Sequence, residues 1–101
     1  MPDETRKLLT IITESILEAQ ICQDIEDFGA SGYTVTDARG SGSRGVRDAG
    51  WSSTGNIRIE VVCDQAVADK IAGMLQERYY ADYAMILFVS DVAVLRPEKF
   101  N

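Results

Sequence analysis

The chain has 101 residues, 46% of them hydrophobic, which fits one domain with a modest core, of a size often completed by self-association. With 16 acidic residues against 10 basic ones the net charge is −6, which argues against nucleic acid as a partner because phosphate backbones select basic surfaces. There is no histidine, and Cys22 and Cys63 lack CxxC spacing, so zinc, copper and most acid–base triads are disfavoured and no metal site is expected.

No basic segment followed by an apolar run opens the sequence. The longest apolar run, residues 84–89, is too short to span a bilayer, so the expectation is a soluble, cytoplasmic protein. Residues 1–6 are polar and read as a frayed end. Residues 7–14 read as a strand of branched side chains that do not alternate cleanly, as expected for burial on both faces. Ser15 and Glu18 stand at capping-box spacing, the serine for an early amide and the glutamate reaching back. Leu17, Ile21, Ile25 and Phe28 follow at intervals of 4, 4 and 3, one stripe of an amphipathic helix. Gly29 and Gly32 supply its stop. Residues 33–39 form a second strand that runs straight into a long loop. Beyond the loop, Ile57, Ile59, Val61 and Cys63 alternate strictly, which predicts a strand with one buried face. Asp64 is a natural N-cap. Ala68, Ile71, Leu75 and Tyr79 make the next helical stripe, with Gly73 tolerated inside it at some cost. Residues 84–89 are a fourth strand, apolar without alternation. Residues 90–95 extend it or begin another, and Pro97 ends regular structure. Both cysteines fall in apolar patterns, where buried, reduced thiols are expected.

The loop, residues 40–56, is rich in glycine and serine, carries Arg44 and Arg47 against Asp48 alone, and has no hydrophobic periodicity. Loops of this length without structure of their own are usually functional or disordered. Glycines free the backbone to approach a ligand, and serine hydroxyls, amides and guanidinium forks together suit an anion such as phosphate. A plain flexible linker is the competing reading.

The order β-α-β-β-α-β is the ferredoxin-like α+β arrangement, with both helices on one face of an antiparallel sheet in a single domain, residues 1–101. The first and fourth strands look apolar on both sides, and the chain has nothing left to cover the second face. Sheets of neighbouring copies are therefore expected to pack together, with the loop projecting between the second and third strands.

A ferredoxin-like chain with its long loop at that place resembles the PII signalling family, whose T-loop lies there. The wording sharpens the likeness: Gly29-Ala30-Ser31-Gly32-Tyr33-Thr34-Val35-Thr36, then Gly42-Ser43-Arg44-Gly45-Val46-Arg47, then Tyr83-Ala84 before the apolar strand, resemble the cyanobacterial SbtB-type PII-like proteins. The resemblance covers nearly the whole chain. It implies a homotrimer that binds adenine nucleotides (cyclic AMP, AMP, ADP, ATP, with or without a bridging divalent cation) in clefts between subunits. It also implies a membrane partner, the sodium-dependent bicarbonate transporter SbtA, with the protein cytoplasmic and peripheral at the inner membrane when bound. Carried over, the loop base Gly42, Ser43, Arg44 and Arg47 would hold phosphate. Val35 and Thr36 and, across the interface, Met85 and Leu87 would wall the site. Val46, Asp48 and Trp51 would face the partner. The chain ends at Phe100-Asn101 without the Cys-Gly-Pro-x-Gly-Cys segment some relatives carry, so no redox switch tied to that segment is expected.

Other readings compete residue by residue. Trp51 is either an anchor for a partner or tucked onto the body. Tyr79, Tyr80 and Tyr83 read as packing residues, and Asp24, Glu26 and Asp27 as a solvated helix face. Asp91 has no EF-hand-like spacing around it for a cation. An acylphosphatase-like enzyme needs a phosphate loop between the first strand and helix, where Thr13-Glu14-Ser15 has no glycine. A metal-tolerance protein is disfavoured without histidine. The expectation is a binding regulator rather than an enzyme, with slow nucleotide hydrolysis on the same trimeric scaffold as the alternative.

Overall fold

The structure is a computed structural model and describes residues 4–42, 45–46 and 55–100. Strand β1 (Thr5–Glu14) leads through a 3-10 turn at Ser15–Leu17 into helix α1 (Glu18–Asp27). Then come β2 (Thr34–Ala38), a short ribbon of β3 (Ser41–Gly42) and β4 (Gly45–Val46), β5 (Asn56–Cys63), α2 (Gln65–Tyr79) and β6 (Ile86–Ala93). The main sheet runs β2-β5-β1-β6, antiparallel throughout, which is the ferredoxin-like order.

β1 is central because it pairs on both sides: Lys7–Glu14 lie against β5 and Thr5–Ile12 against β6. Side chains alternate across a strand, so residues in register share a face. Leu9, Ile11 and Thr13 on β1 and Ile57, Ile59, Val61 and Cys63 on β5 point to the helices and are buried. Leu17 from the 3-10 turn and Ile21 and Ile25 from α1 close on them, and from α2, Ala68, Ile71, Leu75 and Tyr79, the two stripes read from the sequence. Asp64 caps α2 as expected, its carboxylate accepting from the Val67 amide at 2.9 Å. Gly29, at φ 110°, ends α1 in a Schellman turn: its amide donates to Glu26 and that of Ala30 to Ile25, at 3.1 and 3.0 Å.

Several expectations are corrected. The Ser15–Glu18 capping box does not form, because the Ser15 amide that Glu18 would cap donates to the Gly55 carbonyl at 2.9 Å, and the helix enters through a 3-10 turn. The N-terminal end is not frayed at Thr5 and Arg6, which belong to β1. The Arg6 guanidinium donates to the carbonyls of Thr5, Pro97 and Phe100, tying the chain's two ends together. Pro97 does not end regular structure but opens a 3-10 turn, Pro97–Lys99. Asp24 is no solvated surface acid: its two oxygens take the Tyr79 hydroxyl at 2.5 Å and Arg78 at 3.2 Å, clasping α1 to α2. Asp91 is paired with Lys7. The loop is not wholly without structure, since β3 and β4 pair Ser41 with Val46 and Gly42 with Gly45.

Among the described residues, no helix covers the second face of the sheet. Its two middle rows, read from β2 to β6, are Thr34–Glu60–Thr10–Phe88 and Thr36–Arg58–Ile12–Ile86. Polarity falls from one edge to the other. β6 was expected to be buried on both sides; within one chain it is an edge strand with Ile86, Phe88 and Val89 each 44–47% exposed.

Candidate functional site

The loop base sits where the β2 and β5 ends converge. Ala38 pairs with Asn56, and Asn56 with Glu14, so the chain leaves and re-enters the sheet at one point. Asn56 is 8% exposed there. Of the expected phosphate residues, Gly42 lies on β3. Ser43, Arg44 and Arg47 lie outside the described residues, as do Asp48 and Trp51 of the expected partner loop. Val46 lies on β4, paired with Ser41.

The expected walls are described. Val35 pairs with Ile59, and Thr36 with Arg58, on the β2 edge. Leu87 pairs with Ile11 on the β6 edge, and Met85, 8% exposed, immediately precedes that strand. Val35–Ile59–Ile11–Leu87 is a single row across the sheet. Its two ends are three strand spacings apart, roughly 14 Å at about 4.8 Å per spacing. One chain therefore does not bring the two walls together. Val35 and Leu87 also turn their side chains inward, packed against the core. What they offer a ligand is the strand edge, with its unpaired amides and carbonyls.

Sequence reasoning passed over Arg58 and Glu60. They stand at alternate positions of β5, both on the helix-free face, with Arg58 Nη2 and Glu60 Oε2 3.3 Å apart. The strict alternation of β5 carried the signal: charges at 58 and 60 between apolar 57, 59 and 61 must face away from the core. The Tyr79–Asp24 pair was invisible because its members are 55 positions apart. Burial, with the Asp24 hydrogen bond second, pushes the Tyr79 hydroxyl up to about 12. Burial pushes the Cys63 thiol up to about 11, with Asp64 adding to it, and raises Cys22 as well. Both thiols are free and buried, as expected, which leaves them inert at neutral pH. Among the described residues no helix is long and apolar enough to cross a membrane, and no group of three or more potential metal ligands is found.

Residues 6–99 match the family described as Nitrogen regulatory protein P-II. The chain belongs to that family. Its sheet order, two helices and long loop between β2 and β5 are thereby accounted for as the P-II form of the ferredoxin-like fold. A crystal structure assigned to PII-like signalling, from Thermus thermophilus, is 44% identical with a TM-score of 0.82, each chain covering 96% of the other. CPII of Thiomonas intermedia K12, a nitrogen regulatory PII-like protein bound to ADP, AMP and bicarbonate, is 24% identical with a TM-score of 0.85 over 95% of this chain and 93% of that one. The B. subtilis GlnK–ATP complex is 14% identical with a TM-score of 0.71, over 99% and 100%. The last two are likenesses of fold. This P-II chain is accordingly a PII-like signalling protein.

Proposed function

We propose that this P-II chain is a nucleotide sensor of the SbtB type: a homotrimer that binds cyclic AMP, AMP, ADP or ATP between subunits and regulates the sodium-dependent bicarbonate transporter SbtA. One observation carries the reading. The two candidate walls, Val35 and Thr36 against Met85 and Leu87, stand at opposite edges of one sheet. A second copy that sets its β6 edge beside the first copy's β2 edge makes one cleft of them. The same contact covers Ile86 and Phe88, which a lone chain leaves open. CPII, bound to ADP, AMP and bicarbonate, supports nucleotides as the ligand class and inorganic carbon as the context.

In this reading Ser43, Arg44 and Arg47 meet the phosphate from the loop base, because planar guanidinium forks donate in pairs to phosphate oxygens. A divalent cation joins only with ligands that carry more than one phosphate. Val46, Asp48 and Trp51 face the transporter, in loop conformations that the ligand selects. The protein is a regulator rather than an enzyme, cytoplasmic and peripheral to the inner membrane when docked. Calorimetric titration with the four nucleotides, beside capture of detergent-solubilised SbtA with and without each, tests it. Nucleotide-dependent capture is expected. Absence of binding by all four nucleotides would overturn it.

A further inference from the structure

Helix α2 ends without a glycine stop. None of residues 80–85 is glycine, and among the described residues only Gly29 has a positive φ, so no left-handed turn terminates this helix. Helix ends fray unless they are tied. This one is tied by side chains from α1. The two oxygens of Asp24 take the Tyr79 hydroxyl and Arg78, at 2.5 and 3.2 Å, and the Arg78 guanidinium also lies over the Phe28 ring, 5.1 Å from its centre. From the anchored residue the chain turns towards β6. The Tyr79 carbonyl accepts from the amides of both Asp82 and Tyr83, at 3.2 and 3.0 Å. The Tyr83 ring packs beside that of Tyr79, with 6.0 Å between centres and an inclination of 54°. The turn emerges at the sheet end that carries the loop base: β6 begins at Ile86, opposite Ile12, two positions before the Glu14 that pairs with Asn56. Leu87 is placed by the sheet, since it pairs with Ile11. Met85 precedes the first pair, so the turn places it and the ladder does not.

We propose that Asp24, Tyr79 and Tyr83 are positioning residues of the nucleotide cleft: they fix the turn of residues 80–85, and with it the chain at Met85 that walls the ligand. The inference rests on the reading of Met85 as a nucleotide wall, and it adds what holds that wall in place. The Met85 side chain is tucked into the core, 8% exposed, so what this segment offers a ligand is backbone held at one place. A turn free to shift would have to be ordered at the moment of binding, and the ordering would be subtracted from the affinity. The clasp does that ordering in advance. Asp24 and Tyr79 lie in the helix layer, Tyr79 at 2% exposure, so they act through the turn and not by touching the nucleotide. A clasp that served stability alone would do as well anywhere along the two helices. This one grips Arg78 and Tyr79, the last two residues of α2, where the chain turns towards the wall.

Asp24→Ala and Tyr79→Phe in the full chain test this, by calorimetric titration with AMP and ATP at a temperature where circular dichroism shows each variant folded. Asp24→Ala should bind about fivefold or more weakly than wild type, the lower range of coupling between sites, and Tyr79→Phe should lose less. Asp24→Asn, whose amide oxygen still accepts from the Tyr79 hydroxyl, should recover part of the loss. Hydrogen exchange should quicken at the Asp82 and Tyr83 amides, which the Tyr79 carbonyl holds, and stay unchanged at the Ala68 amide at the other end of α2. Ala68→Gly separates positioning from stability: it loosens the same helix at that far end and should lower the melting temperature with nucleotide affinity unchanged. Should Asp24→Ala not fold, Tyr79→Phe, which keeps its ring and strands no polar atom, carries the test. Wild-type affinity in the folded clasp variants would overturn the proposal and leave the nucleotide reading intact. So would an equal loss of affinity in Ala68→Gly, which would make the clasp a matter of stability alone. Absence of nucleotide binding by the wild type would overturn both.

Discussion

Removal of one hydroxyl measures the clasp between the helices. In Tyr79→Phe the ring stays in the core, where residue 79 is 2% exposed, and only the 2.5 Å donation to Asp24 is lost. Hydrogen bonds to charged groups contribute about 1.5–3 kcal/mol. Asp24 retains Arg78 at 3.2 Å and phenylalanine strands no polar atom, so the low end applies, about 1.5 kcal/mol at pH 8. For a domain of this size that corresponds to a melting temperature lower by about 6–12 °C. The pH dependence is sharper. The folded-state pKa of Tyr79, about 12, lies above its ordinary value of 10.0, so the unfolded chain gives up this proton first. The associated stability is complete below pH 10 and disappears as pH rises towards 12, by about 2–3 kcal/mol at 1.36 kcal/mol per unit. Phenylalanine has no proton to lose. Wild type should therefore be the more stable below pH 10, equal the variant near pH 11 (about 1.4 kcal/mol of the difference gone by then), and be the less stable at pH 12. Urea unfolding followed by circular dichroism at pH 8 to 12, at one protein concentration, reads this directly. Equal stability of the two proteins at pH 8 would refute the clasp, and parallel stability curves up to pH 12 would refute the raised hydroxyl.

Two glycines should respond in opposite directions. Gly29→Ala places a side chain at φ 110° and should destabilise by about 1–2 kcal/mol, whereas Gly73→Ala, with nothing within 4 Å of the new methyl group inside α2, should stabilise by about 1 kcal/mol, both by denaturant titration. A thiol reagent at pH 8 should leave Cys63 unmodified until denaturant is added, because burial holds its pKa near 11; prompt labelling of the folded protein would contradict that burial. Alanine at Arg44 or Arg47 should weaken nucleotide binding by about 1.5–3 kcal/mol each in calorimetry, with lysine a partial rescue, and a double alanine variant with wild-type affinity for AMP and cyclic AMP would place the phosphate site elsewhere.

The fold was legible because its main elements are driven by burial, and burial leaves a period. Ile57, Ile59, Val61 and Cys63 alternate because one sheet face meets the helices, and Leu17, Ile21 and Ile25 recur at helical spacing because they meet the other side of that layer. Local rules failed where a distant group competed for the same atom. Ser15 and Glu18 have the spacing of a capping box, but Gly55, 40 positions along the chain, takes the Ser15 amide. Arg6 reads as part of a loose end until Pro97 and Phe100 are brought to it. Asp24 reads as one more surface acid until α2 delivers Tyr79 and Arg78. The site was legible only as pieces. Residue types at 42–47 point to phosphate, yet no local pattern says that Val35 and Leu87 belong to one row and point away from solvent; that follows from strand order, which a sequence period does not encode.

The placement of those pieces also constrains how a signal could pass. If the cleft is shared between copies, a ligand that bridges the β2 edge of one chain and the β6 edge of the next must stabilise assembly by the free energy of its binding, and dilution of the protein must weaken the ligand in return. The loop emerges from the β2 side of that cleft, between Ala38 and Asn56, so its base cannot meet a bound phosphate without also meeting the neighbouring copy's edge. Nucleotide, neighbour and loop then respond to a single junction. A partner that grips the loop should tighten nucleotide and subunit contact together. Coupling of partner binding to nucleotide affinity with no effect on assembly would require a site built within one chain, where the two candidate walls stand at opposite sheet edges, roughly 14 Å apart.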